Sequence, residues 1–208
     1  MLLADRGKNL KATFTADMQR YVGITCRPWS LTFLRELLKA SYEHPGIWAV
    51  IVYRYGQWVY FRCRVPIIRQ FCDLIYYILF NWIRTHLQIE VHRTTCIDGG
   101  FRISHFSGII INSQLIAGKN LTVTSGVIIG QTDNGVPVLG DDVDIGVGAK
   151  IIGGIHLGNR IIIGAQSLVN KDFPDDVIIA GVPAKIIRNR TNVNYSDEFR
   201  SQSDVNGC

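Results

Sequence analysis

The sequence predicts a mainly β fold with a helical N-terminal module: a three-sided parallel β-helix of hexapeptide repeats following a helical segment. Three observations carry this. Composition divides the 208-residue chain near residue 88. Beyond that point an aliphatic or small residue recurs every sixth position. A glycine follows most of these markers. An α-helix, with 3.6 residues per turn, cannot keep such a row on one side, and neither can a two-residue alternation interrupted by regular glycines. A triangular coil can, with six residues to a side and small residues easing each corner.

Whole-chain averages set the outer limits. A hydrophobic share of 47% with a net charge of +5 excludes a disordered chain. The most apolar window, 71–83, is too short to span a bilayer and contains Asp73. The first residues, MLLADRGKNLK, lack the basic start, apolar core and cleavage site of a secretory signal. Five scattered cysteines form no CxxC pair, so neither a disulfide framework nor a zinc site is expected. The cytoplasm is the expected compartment.

Residues 1–88 hold 12 Lys and Arg against 5 Asp and Glu, and 16 of the 21 aromatics. Within them Ile67, Phe71, Leu74, Ile75, Ile78 and Trp82 share one helical face. Ile68, Cys72, Leu79 and Ile83 make the other side apolar too, so this helix is expected to be either well buried or partly in lipid. Arg54, Arg62, Arg64, Arg69 and Arg84 interleave with Trp48, Trp58 and Tyr60 as a basic, aromatic rim. Packing against the second module is one reading, and peripheral contact with an anionic membrane surface is the other. No nucleic-acid reading motif accompanies the basic residues.

Residues 89–188 reverse the balance, with 8 basic against 9 acidic residues, 3 aromatics and 35 Ile, Val or Leu. Markers fall at Ala117, Val123 and Ile129. After a four-residue insertion they resume at Leu139, Ile145, Ile151, Leu157, Ile163 and Val169. Earlier the frame slips: one set runs 97, 103, 109 and the next 111, 117, 123. The last segment, 189–208, is a polar tail.

Four motifs, SHFSGIIIN (104–112), IGVGAKIIGG (145–154), IGAQSLVNKDFP (163–174) and AGVPAKIIR (180–188), resemble those of the hexapeptide-repeat acyltransferases. The resemblance is to the branch that contains serine acetyltransferase and its polysaccharide-modifying relatives. DMQRY (17–21) and HPGIWAVIVYR (44–54) are similar to that branch's helical module. It implies a left-handed β-helix, a homotrimer, a pairing of two trimers through the helices, and acetyl-CoA as co-substrate between neighbouring subunits.

The chemistry needs a base that can deprotonate a hydroxyl beside a thioester, and imidazole titrates near neutral pH. The resemblance assigns this to His105, which sits at the frame slip where a polar ring can face outward. Glu90, fifteen residues earlier, matches the family's acidic partner, although serine acetyltransferases usually carry Asp there. His92 and Ser104 are the candidate acceptor-binding residues. The resemblance carries CoA binding to Val147, Gly148 and Ala149, to Ala165 and Gln166 on the next coil, and to Asn170, Lys171, Lys185 and Arg188 for the phosphates. The histidines lack the close pair of a zinc-dependent hexapeptide protein, so no metal is expected.

Departures from the serine enzymes decide the expected acceptor. Ser104 stands where they usually have Asp, and Gly135 and Val136 stand where an Arg-His pair is usual. Serine brings two charges that need partners, whereas a sugar hydroxyl does not. The expected function is therefore O-acetylation of a sugar in a surface polysaccharide or its precursor. Serine O-acetylation in cysteine synthesis is the alternative, and a non-catalytic assembly module is a second one.

Overall fold

The computed structural model describes residues 10–22 and 28–190 of the chain. All but the first two residues of the polar segment 189–208 lie outside them. Four helices come first: α1 (Leu10–Val22), α2 (Leu31–Glu43), α3 (Gly46–Arg62) and α4 (Pro66–Trp82), the last extended by a π-helical turn over Ile83–Leu87. Ser30 caps α2, its hydroxyl accepting from the Phe33 N–H at 3.2 Å. Pro66 opens α4 at a position where its missing N–H costs nothing.

The coils follow. The first has β1 (Ile89–Val91), β2 (Cys96–Ile97) and β3 (Arg102–Ile103) on its three sides. The second has β4 (Ile109–Ile111), β5 (Ile116–Ala117) and β6 (Thr122–Val123), and the third β7 (Ile128–Gly130), β8 (Val138–Leu139) and β9 (Asp144–Ile145). In the fourth stand β10 (Lys150–Ile152), β11 (His156–Leu157) and β12 (Ile162–Ile163). The fifth has β13 (Leu168–Val169) and β14 (Val177–Gly181), with Phe173 bridging to Leu157 on its second side. β15 (Ala184–Asn189) then turns back antiparallel to β14. Equivalent sides stack into three sheets, β1-β4-β7-β10-β13, β2-β5-β8-β11 and β3-β6-β9-β12-β14, parallel throughout. This is the left-handed hexapeptide coil that the resemblance implied.

The six-residue period now has a physical meaning. Ile103, Val123, Ile145, Ile163 and Ile179 lie one above another and are fully buried. Each such side chain contributes about 1.5–3 kcal/mol by leaving water. Beside the inward marker Ile145 the next coil's backbone comes too close for a side chain. A Cβ on Gly146 would stand 2.7 Å from the Ile163 carbonyl oxygen and 2.8 Å from the Ala165 nitrogen.

The helices close the open end of the first coil. Asp17 of α1 and Arg54 of α3 form a buried ion pair at 2.6 Å. The Asp17 carboxylate also accepts from the Gly100 and Phe101 N–H groups at 2.8 Å. Arg54 donates to the Ile97 and Asp98 carbonyls at 2.9 Å. Tyr21 exchanges hydrogen bonds with the Ile103 backbone, and the Tyr53 hydroxyl donates to the Thr95 carbonyl. DMQRY and VIVYR are thus the clamp that joins the two modules. α4 lies outside α3 and is tied down by Arg93, which pairs with Asp73 and packs over Tyr76 at 4.8 Å.

Candidate functional site

Besides the 131–137 insertion, the coil breaks its spacing at the corner between its third side and the first side of the next turn. That corner takes three residues at 124–126, 146–148 and 164–166, but five at 104–108. Ile103 stays in register with Val123, while Gly108 is stacked on Gly126. The two extra residues have no room within the stack and bulge outward, so His105 and Phe106 stand exposed. This bulge is the frame slip visible in the sequence. Ser107 braces it, at φ 94°, by donating to the Gln88 side-chain oxygen at 2.8 Å.

Along the same edge run Gly126, Gly148 and Gln166, all at positive φ. A Cβ on Gly126 would stand 3.3 Å from the Gly148 Cα, and one on Gly148 would meet the Gln166 side chain at 2.4 Å. Positive φ favours glycine at 126 and 148, and Gln166 takes the same left-handed conformation at the end of the column. Val147 and Ala165 flank the column and are exposed. At about 4.8 Å per coil, Ala165 stands about 14 Å along the edge from the His105 corner. A smooth edge of that length suits a linear, unbranched chain lying along it.

His105, Val147, Gly148, Ala165 and Gln166 therefore share one edge. Ala149 does not belong with them. Its side chain is fully buried, its N–H donates to the Gly146 carbonyl and its carbonyl accepts from Ile128. It is a core residue, because the position after the corner turns inward.

The expected phosphate contacts divide. Lys185 opposes Ala180 near the upper end of the His105 edge, beside the Gly181–Ala184 turn. Arg188 opposes Ile178, three residues further along β15 and away from that edge. Asn170 and Lys171 follow β13, at the corner between the first and second sides, with the Lys171 ammonium 5.4 Å from the Phe173 ring. One chain does not gather these four residues.

Glu90 and His92 lie on the first side, which begins at the His105 corner. They line an open depression of about 460 Å³ with Thr94, Ile110, Asn112 and Ser113. His92 Nδ1 is 2.8 Å from the Thr94 hydroxyl, and its ring meets Phe80 edge-on. Burial lowers the His92 pKa, the Arg93 charge lowers it further, and the Glu90 carboxylate opposes both. Glu90 thus acts directly on His92. Ser104, half-buried, is held by its N–H to the Val123 carbonyl at 2.9 Å. Among the described residues no group of three or more His, Cys, Asp or Glu side chains could hold a metal ion.

Sequence reasoning missed the Thr94, Asn112 and Ser113 contribution to the depression. Polar residues at coil corners are common, and nothing in the repeat distinguishes these. The Gly126 step of the edge was also missed, although its place in the glycine column was readable from the spacing.

No family model matches the chain. Curated relatives do. The serine acetyltransferase of Synechococcus elongatus is 30% identical over 148 residues, 69% of this chain and 57% of that protein. That of Bacillus licheniformis is 29% identical over 172 residues, 78% of this chain and 76% of that protein. The chain spans about half the length of the first curated relatives it matches. Among solved structures, the Brucella abortus serine acetyltransferase in complex with coenzyme A is 26% identical, with a TM-score of 0.67 over 87% of this chain and 68% of that one. The Vibrio cholerae enzyme is 25% identical, with a TM-score of 0.69 over 88% and 67%.

These relatives overturn the expected sugar acceptor, because they are serine acetyltransferases. The expectation rested on Ser104, Gly135 and Val136, and the structure shows the weakness of that matching. The 131–137 loop closes on itself through paired Thr132 and Gly135, and Val136 packs against the core. A residue turned to the core says nothing about which charges face an acceptor.

Proposed function

Taking kinship with the hexapeptide-repeat acyltransferases as the premise, we propose that this chain is an O-acetyltransferase that moves the acetyl group of acetyl-CoA to the hydroxyl of serine. The similarity to named serine acetyltransferases across both helices and coils carries the reading. The shared edge of His105 and the glycine column supports it.

Acetyl-CoA supplies the acetyl group as a thioester. Its pantetheine arm lies along the edge past Gln166, Ala165, Gly148 and Val147, with Lys185 at the phosphate end. The thioester carbonyl then reaches the His105 bulge. The imidazole accepts the serine hydroxyl proton as that oxygen attacks the carbonyl carbon, and returns the proton to the departing CoA thiolate. The C–O bond forms, the C–S bond breaks, and the base ends neutral. Glu90 stabilises the imidazolium through its field from the first side of the coil, and with His92 it shapes the acceptor end. Asn170, Lys171 and Arg188 complete the nucleotide site from a neighbouring subunit of a homotrimer, since one edge covers only one flank of the ligand.

The test is thiol release from acetyl-CoA with serine added. Saturable O-acetylserine formation above the hydrolytic background is expected. Release that is indifferent to serine would overturn the acceptor, and absence of acetyl-CoA binding would overturn the activity.

A further inference from the structure

The helical module leaves one face of α4 without a partner. Its inner face, Cys72, Asp73, Tyr76 and Phe80, packs toward α3 and Arg93. On the outer face Ile67 is 80% exposed, Phe71 64%, Leu74 57%, Ile78 61% and Trp82 49%. These side chains form a continuous apolar row left in water, and an exposed apolar patch of this kind marks a contact surface.

Charge identifies the occupant. Arg62 and Arg64 stand at the N-terminal end of the face, and Arg84 stands at the other end, all exposed. The one acidic residue of α4, Asp73, is half-buried and pairs with Arg93 and, at 3.8 Å, with Arg69. A second copy of this face related by a two-fold axis would meet the same arginines with no carboxylate to pair them. An anionic lipid surface meets both needs, with acyl chains for the apolar row and headgroups for the arginines at its ends. Trp82 and Tyr77 suit the boundary between the two layers. α4 has 17 residues, so it is about 25 Å long. Among the described residues no helix is long and apolar enough to cross a membrane. The mode of contact is therefore parallel to the surface.

We propose that the outer face of α4 docks the protein on an anionic lipid bilayer, with the helix lying in the headgroup plane.

Flotation of the full chain with vesicles tests this, using phosphatidylcholine alone and an equimolar mixture with phosphatidylglycerol. Binding to the mixed vesicles, weakened by salt, is expected. The double variant Phe71→Ser, Ile78→Ser should bind about tenfold more weakly or worse. Arg62→Gln, Arg64→Gln and Arg84→Gln should each cost about fivefold. All of these positions are exposed, and unchanged melting and serine-dependent thiol release would show that the variants are folded. Failure of the intact chain to float with mixed vesicles would overturn the proposal, as would flotation unaffected by the double variant. If that variant instead halves the mass in solution and the intact chain ignores vesicles, the face joins two copies and the proposal is wrong.

Discussion

Along the coil every inward side chain rests on its own counterpart one turn away, as Ile103, Val123, Ile145, Ile163 and Ile179 do. The helical module has no such redundancy. It meets the first coil through contacts made once, centred on an Asp17 carboxylate and an Arg54 guanidinium that are both buried. A repeated apolar stack spreads its stabilisation over many similar terms, so one change is felt locally. A buried ion pair concentrates it, because removing one partner strands the other's charge. The site lies where the two kinds of construction meet, at the irregular corner of the first coil.

The largest effect should come from breaking the clamp. Asp17→Ala leaves Arg54 buried with only carbonyl and amide partners, and should cost about 3–5 kcal/mol in denaturant unfolding. A loss below about 1 kcal/mol would mean that the clamp is not what holds the modules together.

Next comes a change that violates the coil's spacing. In Gly146→Ala the new methyl meets only backbone atoms of the coil above, at 2.7–3.0 Å. Overpacking of this kind should cost about 1–3 kcal/mol, read as a lower melting temperature. Gly130→Ala sharpens the contrast. There the nearest atom is the Ile152 Cγ2 at 3.7 Å, so the methyl fits. Reduced freedom of the unfolded chain should then stabilise by about 0.4–1 kcal/mol. Equal losses at both glycines would show that spacing between coils is not the governing term.

The smallest effect belongs to pH. His92 has a pKa below the ordinary 6.5 in the folded protein, chiefly through burial. The unfolded chain therefore binds the proton more readily, and stability falls as pH drops through 6.5 toward the lower folded value. His92→Gln should flatten that part of the stability profile, measured as melting temperature against pH. A slope unchanged by the substitution would assign it to another group.

The repeat made the coil legible from sequence, because a six-residue period with glycine beside the marker has few other solutions. The bulge was legible as well, since two extra residues between Ile103 and Ile111 show as a slipped frame. Contacts made once were not. Nothing in the spacing of Asp17, Arg54 and Gly100 announces that they meet, and DMQRY stood out only through resemblance. Ala149 was misplaced because a motif read as a unit does not tell an outward Val147 from a buried Ala149 two residues on. The acceptor was misjudged for a related reason: Gly135 and Val136 were matched by position within a loop whose own closure decides which side chains face outward.

The proposed chemistry depends most heavily on His105 acting as the base at the end of the CoA edge. Serine-dependent thiol release by His105→Ala, measured together with acetyl-CoA affinity, tests this directly. Turnover should fall by about 10²- to 10⁴-fold with affinity for acetyl-CoA little changed. Near-normal turnover in a folded His105→Ala protein would contradict the account.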